Sequence, residues 1–404
     1  MEAYILEWLS MLLRWAHLIV GIAWIGSSFY FIWLDTNLNR PPHNPEDEDV
    51  AGDLWAVHGG GFYHSQKYQI APKELPPLLH WFKWEAYTTF LTGFALLTVL
   101  YYFNADVYLV DKSVADISGA EAVGISLFIL IIGWVVYDML CNSKLDDRGI
   151  AFLGFLLLMV LIYTVFQVFS GRGAYTQIGT MLGTTMVANV FFVIIPGQKE
   201  LVAAKLRGEE PDAIHGLRGK QRSVHNNYIT LPVLLVMLSN HYPMLYAHQY
   251  NWLLLIVLFI VGVLIRHFFN LRNQGEFVPA LPVFTVLILM LMAWVIAPAS
   301  LKNRIDEQSA NASLIGPVEK VNFAEVQQVI TERCVICHSA QPNHPTAPVA
   351  PNGVMFDTVG QINLWAERIH NRTVVTKTMP LANLTTISEE ERALLDRWYK
   401  STRK

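Results

Sequence analysis

Two thiols and an imidazole stand together at Cys334-Val335-Ile336-Cys337-His338. Two Cys separated by two residues, with His directly after them, have the spacing of covalent c-type haem attachment. Each sulfur adds to one vinyl group of the porphyrin, and the adjacent imidazole reaches the iron as proximal ligand. The chain contains 3 Cys, which excludes a four-thiolate zinc site. The third, Cys141, reads as a free thiol near a helix end. Well downstream, Thr378-Met379-Pro380 places a thioether in a polar loop. Such a group suits the second axial position, and His/Met ligation raises a haem's potential. The metal ligands on this reading are His338 and Met379.

Those groups need elements to hold them. Asn322 to Arg333 predicts a short helix with Phe323, Val326, Val329 and Ile330 on one face. Ser388 followed by Glu389, Glu390 and Glu391 starts a last helix whose inner side is Leu394, Leu395 and Trp398. Helix, attachment motif, loop, Met-Pro and helix together make the plan of a small class I cytochrome c.

The rest of the chain is of another kind. Of 404 residues, 53% are apolar and only 15% charged, with a mean hydropathy of +0.33. That composition indicates a membrane protein with a modest soluble part. A net charge of −4 and the lack of any recognition signature give no reason to expect nucleic acid as a partner. Eight apolar segments reach the roughly 20 residues needed to cross a bilayer. They run roughly 5–34, 85–103, 122–141, 150–170, 178–196, 227–247, 251–270 and 281–298. The first is too long for a signal peptide and reads as a retained span. Between the first two lies a polar insertion, Asp35 to Lys83, rich in Pro and Gly. It carries the acidic run Glu46-Asp47-Glu48-Asp49 and the stretch His58-Gly59-Gly60-Gly61-Phe62-Tyr63-His64. The expected fold is all-α: a polytopic membrane bundle over 1–298, a polar linker over 299–318, and a class I cytochrome c domain over 319–404.

Loop charge sets the orientation. Lys199, Lys205, Arg207, Arg218, Lys220 and Arg222 make the connection between spans five and six the most basic in the chain. Placing it in the cytoplasm puts the acidic loop of Asp106, Asp111, Asp116 and Glu121 outside, and span eight then delivers the haem domain to the periplasm. Haem c is attached outside the cytoplasmic membrane in bacteria, so an unrelated requirement agrees. The expected location is the bacterial inner membrane.

Ionisable groups inside spans are costly and are functional candidates by default. Neutral imidazole is the usual axial ligand of a haem held between helices. His17 and His241 lie toward the periplasmic side, where a b-type haem could pass electrons to haem c. His225 and His267 lie toward the cytoplasm. The alternative is that these side chains only bond one helix to another. Lys83, Asn226, Asn227 and Arg266 could clamp a planar, anionic heterocycle through paired hydrogen bonds. Topology alone, however, also puts positive charge at cytoplasmic helix ends.

Two resemblances extend this reading. His17, Trp24-Ile25-Gly26 and Trp81-Phe82-Lys83 resemble the first two spans of the haem-binding membrane protoporphyrinogen oxidase family, which adds Lys83 to the candidates near a haem or substrate. The larger pattern resembles the bacterial membrane-bound urate oxidase (urate hydroxylase) family. It comprises eight spans, His58-Gly59-Gly60-Gly61-Phe62-Tyr63, Arg266-His267-Phe268-Phe269-Asn270, the attachment motif through Ser339, and His344-Pro345-Thr346-Ala347-Pro348. The resemblance implies oxidation of urate to 5-hydroxyisourate. Electrons would leave through the fused cytochrome to a respiratory acceptor such as a cytochrome c or terminal oxidase. It carries over no catalytic residue. The main rival is a respiratory electron-transfer subunit fed by quinol or a partner enzyme; a transporter or sensor with a redox-reporting domain is a second.

Overall fold

The computed structural model describes residues 2–39, 49–297, 321–344, 347 and 350–402. The linker, three members of the acidic run (Glu46, Asp47 and Glu48), and Pro345, Thr346 and Pro348 lie outside them.

Helices occupy all eight expected positions. They are α1 (Glu2–Asn37), α2 (Trp84–Leu97), α3 (Gly119–Cys141), α4 (Asp147–Phe166), α5 (Gly171–Ala188), α6 (Ala213–Ser239), α7 (Asn251–Asn273) and α8 (Ala280–Val295). A π-turn, Asn189–Ile194, joins α5 to a further helix, Ile195–Leu206, so that Gly171–Leu206 runs as one 36-residue rod. Among the described residues five helices are long and apolar enough to cross a membrane: α1, α3, α4, this rod and α7. The other three fall short for local reasons. The 14 residues of α2 are extended only by the π-turn Thr98–Tyr102. The first half of α6 carries Arg218, Lys220, Arg222 and three amide or imidazole residues, His225, Asn226 and Asn227. For α8 the limit is its 16 residues.

Helix starts are chemically marked. Ser118 and Glu121 form a reciprocal capping box on α3, and Asp146, Ser170 and Asp212 accept backbone N–H groups at the starts of α4, α5 and α6. The main core packs Leu97, Tyr101, Leu109, Ile129, Ile162, Phe169, Tyr175, Ile178, Val236 and Leu255 around α5. Small residues set the spacing: a Cβ on Gly179 would lie 2.6 Å from Val236 Cγ1, and one on Gly262 would lie 2.8 Å from the Cδ of Pro232 inside α6.

The polar insertion is more ordered than expected. Strands β1 (Val50–His58) and β2 (Gly61–Tyr68) form an antiparallel hairpin in which Val57 pairs with Phe62 and His58 with Gly61. Gly59 and Gly60 supply the connecting turn with φ of +58° and +81°, the sign of a two-residue I′ turn that favours Gly-Gly. Asp35 pairs with Lys67 of the hairpin and, at 3.0 Å, with Lys220 of α6. The hairpin therefore sits where α1 ends and α6 begins.

Residues 321–402 make a second, smaller core. Helix α9 (Phe323–Arg333), two short helices (Val359–Leu364 and Ala366–His370) and α10 (Glu389–Thr402) enclose Val326, Ile330, Phe356, Ile362, Ile369, Leu395 and Trp398. Both helices expected here form, with Asn322 capping α9 and a Ser388–Glu391 capping box opening α10.

Candidate functional sites

The attachment motif lies on the turn leaving α9. Cys337 and His338 both donate backbone N–H to the Cys334 carbonyl, at 3.2 and 2.9 Å. His338 Nδ1 lies 3.0 Å from the Val354 carbonyl, and its ring is 5.0 Å from that of Phe356. An Nδ1–H held by a carbonyl leaves Nε2 as the lone-pair nitrogen, the arrangement that orients an imidazole toward iron. Burial pushes the imidazole pKa down and outweighs the Val354 bond, which favours the neutral ligand form. Burial also pushes the Cys334 thiol up to about 12. Among the described residues no three His, Cys, Asp or Glu side chains converge as a metal site. Haem c needs only one such side chain on the iron, since its thiols bond the porphyrin.

Met379 is held from both sides. Its N–H donates to the Arg372 carbonyl at 2.9 Å, and its own carbonyl accepts from Arg392 Nη1 at 3.1 Å. Arg392 is 6% exposed and also donates to the Thr373 carbonyl. The sequence reading missed this arginine, which at the start of an acidic helix looks like an ordinary surface charge. By type, two thiols, an imidazole with Nδ1 held by a carbonyl and a thioether are a donor set that suits a covalent haem.

A belt of polar side chains crosses the bundle at the hairpin end. Asn189, opening the π-turn after α5, donates to Asn226 Oδ1 at 3.0 Å and to the Tyr137 hydroxyl at 3.3 Å. Tyr137 and His225 Nδ1 are 2.8 Å apart, with Cys141 Sγ 3.8 Å from the same nitrogen. Arg222, 2% exposed, bonds Asp138 at 2.7 Å and lies over the Tyr137 ring. Next to it, Asn227 Oδ1 accepts from Arg266 Nε at 2.8 Å and from Asn270 at 3.1 Å, while Tyr228 and His267 are 2.8 Å apart. Several buried atoms of this belt lack partners among the described residues: Asn189 Oδ1, Arg222 Nε and Nη1, Asn227 Nδ2 and Asn270 Oδ1.

A cavity of about 520 Å³ opens beside the belt, between α1, the Ile195–Leu206 helix, α6 and the 70–82 loop. Trp24, His80 and Trp81 supply aromatic walls, and Ser223, Asn226 and Thr230 supply polar ones. The expected clamp is thus assembled in part. Asn227 and Arg266 bond directly and Asn226 faces the cavity, but Lys83 caps the start of α2 with its ammonium 5.9 Å from the Trp84 ring. The histidines are dispersed: His17 bonds Thr89 and Thr92 of α2, His241 is exposed beyond α6, and His225 and His267 pair with tyrosines. Asn189 and Tyr137 were not singled out from the sequence; an Asn within an apolar run was the available signal.

In comparisons with known proteins, the family model described as urate oxidase N-terminal matches residues 3–297. No curated protein and no solved structure matches the chain.

Proposed function

The chain belongs to the urate oxidase N-terminal family, and on that premise we propose that it oxidises urate within a membrane-spanning bundle and exports the electrons through its C-terminal cytochrome. The proposed reaction adds water to urate, forming 5-hydroxyisourate and releasing two protons and two electrons. The family match ends at residue 297, so it covers the bundle and leaves the attachment motif outside it. One observation carries the electron-export half: His338 is bonded at Nδ1 by a backbone carbonyl and adjoins two correctly spaced thiols, on the same polypeptide as that bundle.

When bound, a haem c supplies a one-electron acceptor. The chain's own residues do the rest. His338 and Met379 would hold the iron, and Cys334 and Cys337 would bond the porphyrin. In the bundle, the cavity faced by Asn226, Ser223 and Thr230 receives the planar substrate, whose carbonyl and N–H edges match amide and hydroxyl partners. Trp24 and Trp81 give it apolar faces. Five membrane-length helices support a membrane location, and the basic segment Lys199 to Arg222 supports a cytoplasmic hairpin end with the cytochrome in the periplasm.

An anaerobic optical spectrum of the purified, oxidised protein, taken before and after adding urate, tests this reading. Reduction of the haem c band is the expected result, and an additional band would reveal a b-type haem in the bundle. A haem that stays oxidised with urate but reduces with a quinol would replace it with the respiratory-subunit reading.

A further inference from the structure

The end of the bundle opposite the hairpin carries a cation that the substrate cavity does not use. Arg172, in the first turn of α5, lies with its guanidinium carbon 4.8 Å from the centre of the Tyr108 ring and 5.9 Å from that of Tyr101. Its Nε donates to Asn240 Oδ1 at 3.3 Å, which also accepts from the Tyr101 hydroxyl at 2.8 Å. No carboxylate pairs with Arg172 among the described residues. Its charge is met by aromatic faces and an amide, which stabilise a cation without neutralising it.

The C-terminal unit meets the bundle beside this cluster, at two places flanking Met379 in sequence. The turn Leu381–Asn383 lies against the short helix Ala105–Tyr108, whose last residue is the ring under Arg172. Arg372 lies near the Tyr246 hydroxyl, and the Arg372 carbonyl accepts the Met379 N–H. Tyr246 is tied back to the bundle through its own carbonyl, which accepts from Asn251 Nδ2 at 2.9 Å.

We propose that this junction is the docking seat through which electrons leave the bundle, with Arg172, Tyr246 and Arg372 as positioning residues that hold the Met379 loop against it. The proposal rests on the reading that the C-terminal unit carries haem c. Each crossing carries one electron, so one urate requires two crossings, with the respiratory acceptor re-oxidising the C-terminal unit between them. The two protons of the reaction go to water at the substrate site.

The test uses the full chain in a Cys141→Ser background with a protease site inserted in the linker. Val107→Cys together with Ala382→Cys is treated with a short bismaleimide, and the linker is then cut. Co-migration of the two fragments on a denaturing gel is expected for this pair and not for either single variant or for Val57→Cys with Ala382→Cys. Equal yields for the two pairs, or none for either, overturn the seat. Haem staining of the same gel reports separately on the attachment motif, so loss of haem and loss of docking are distinguishable. In stopped-flow mixing with urate, Arg372→Gln and Arg172→Gln should each slow haem reduction about ten-fold, as expected for about 1.4 kcal/mol of lost positioning. Urate binding and the haem potential should stay unchanged, and Arg172→Lys should recover part of the rate. Unaltered reduction rates in both Gln variants overturn the role in electron exit.

Discussion

At the scale of single residues, the decisive contacts are those that leave one chemical option open. His338 has one ring nitrogen taken by the Val354 carbonyl, so the other is available to iron. Changing Cys334 and Cys337 to Ser should abolish covalent haem, and a haem-stained band surviving on a denaturing gel would refute the attachment reading. Met379→Ala should leave haem attached but lower its potential; an unchanged potential removes Met379 as ligand. Arg392 refines that test, because it holds the Met379 carbonyl rather than the thioether. Arg392→Met should therefore lower the potential without loss of covalent haem, through a looser axial ligand. The same unit contains an acid-sensitive tie. Burial raises the Asp396 carboxyl, but hydrogen bonds from Lys400 at 2.6 Å and His370 at 2.8 Å outweigh it and hold the pKa below the ordinary value. A depressed folded pKa contributes stability that is present above the unfolded carboxylate value, near 3.9, and is lost as pH falls through the folded one. Asp396→Asn should thus cost stability at neutral pH and flatten the acid limb below about pH 4, read from thermal midpoints at several pH values. An acid limb as steep as that of the parent protein would remove Asp396 as its source.

At the scale of elements, spacing is governed by glycines whose missing Cβ is replaced by a neighbouring helix. Gly179 faces Val236 across the α5–α6 contact, whereas Gly183, one turn further on the same helix, has nothing within 4 Å. Gly179→Ala should destabilise the detergent-solubilised protein by about 1–3 kcal/mol through overpacking. Gly183→Ala should be neutral or stabilising by about 0.5–1 kcal/mol through helix propensity. Equal melting shifts for the two would show that the close approach of α5 and α6 carries no energetic weight. This contrast also shows what was legible in advance. Apolar runs located helices at eight positions, five of them of membrane length among the described residues, an apolar face located α9, and Ser388 with its acidic run located α10. The hairpin was missed although its signal was present, because Gly59-Gly60 between alternating residues was read as composition rather than as a turn. The π-turns were not legible at all. Asn189, Tyr101 and Arg372 each lie in one, and a π-turn depends on packing that no local periodicity records.

At the scale of the whole molecule, the two cores divide the labour unequally. The family match accounts for the bundle, while the one-electron chemistry proposed above would belong to the unit beyond the linker. The candidate site was readable only in fragments, since Asn226, Asn227 and Arg266 were identified by type but their partners come from helices far apart in sequence. Arg222 and Asp138 are such a pair: a nearly buried guanidinium whose carboxylate partner comes from α3. Separating the halves tests the division. Removing everything after about Ala299 takes away His338 and Met379 but leaves the cavity and every residue of the belt. The truncated bundle should bind urate with an affinity within about three-fold of the full chain, a difference of only about 0.7 kcal/mol, measured by equilibrium titration. It should transfer no electrons to an added cytochrome c. Loss of urate binding would show that the C-terminal unit completes the substrate site. That outcome would move the site from the hairpin end toward the Arg172 junction, where the turn Leu381–Asn383 meets the helix Ala105–Tyr108. Retained binding with undiminished electron transfer would mean that the bundle reaches an acceptor without the C-terminal unit. The attached haem would then serve some other exchange.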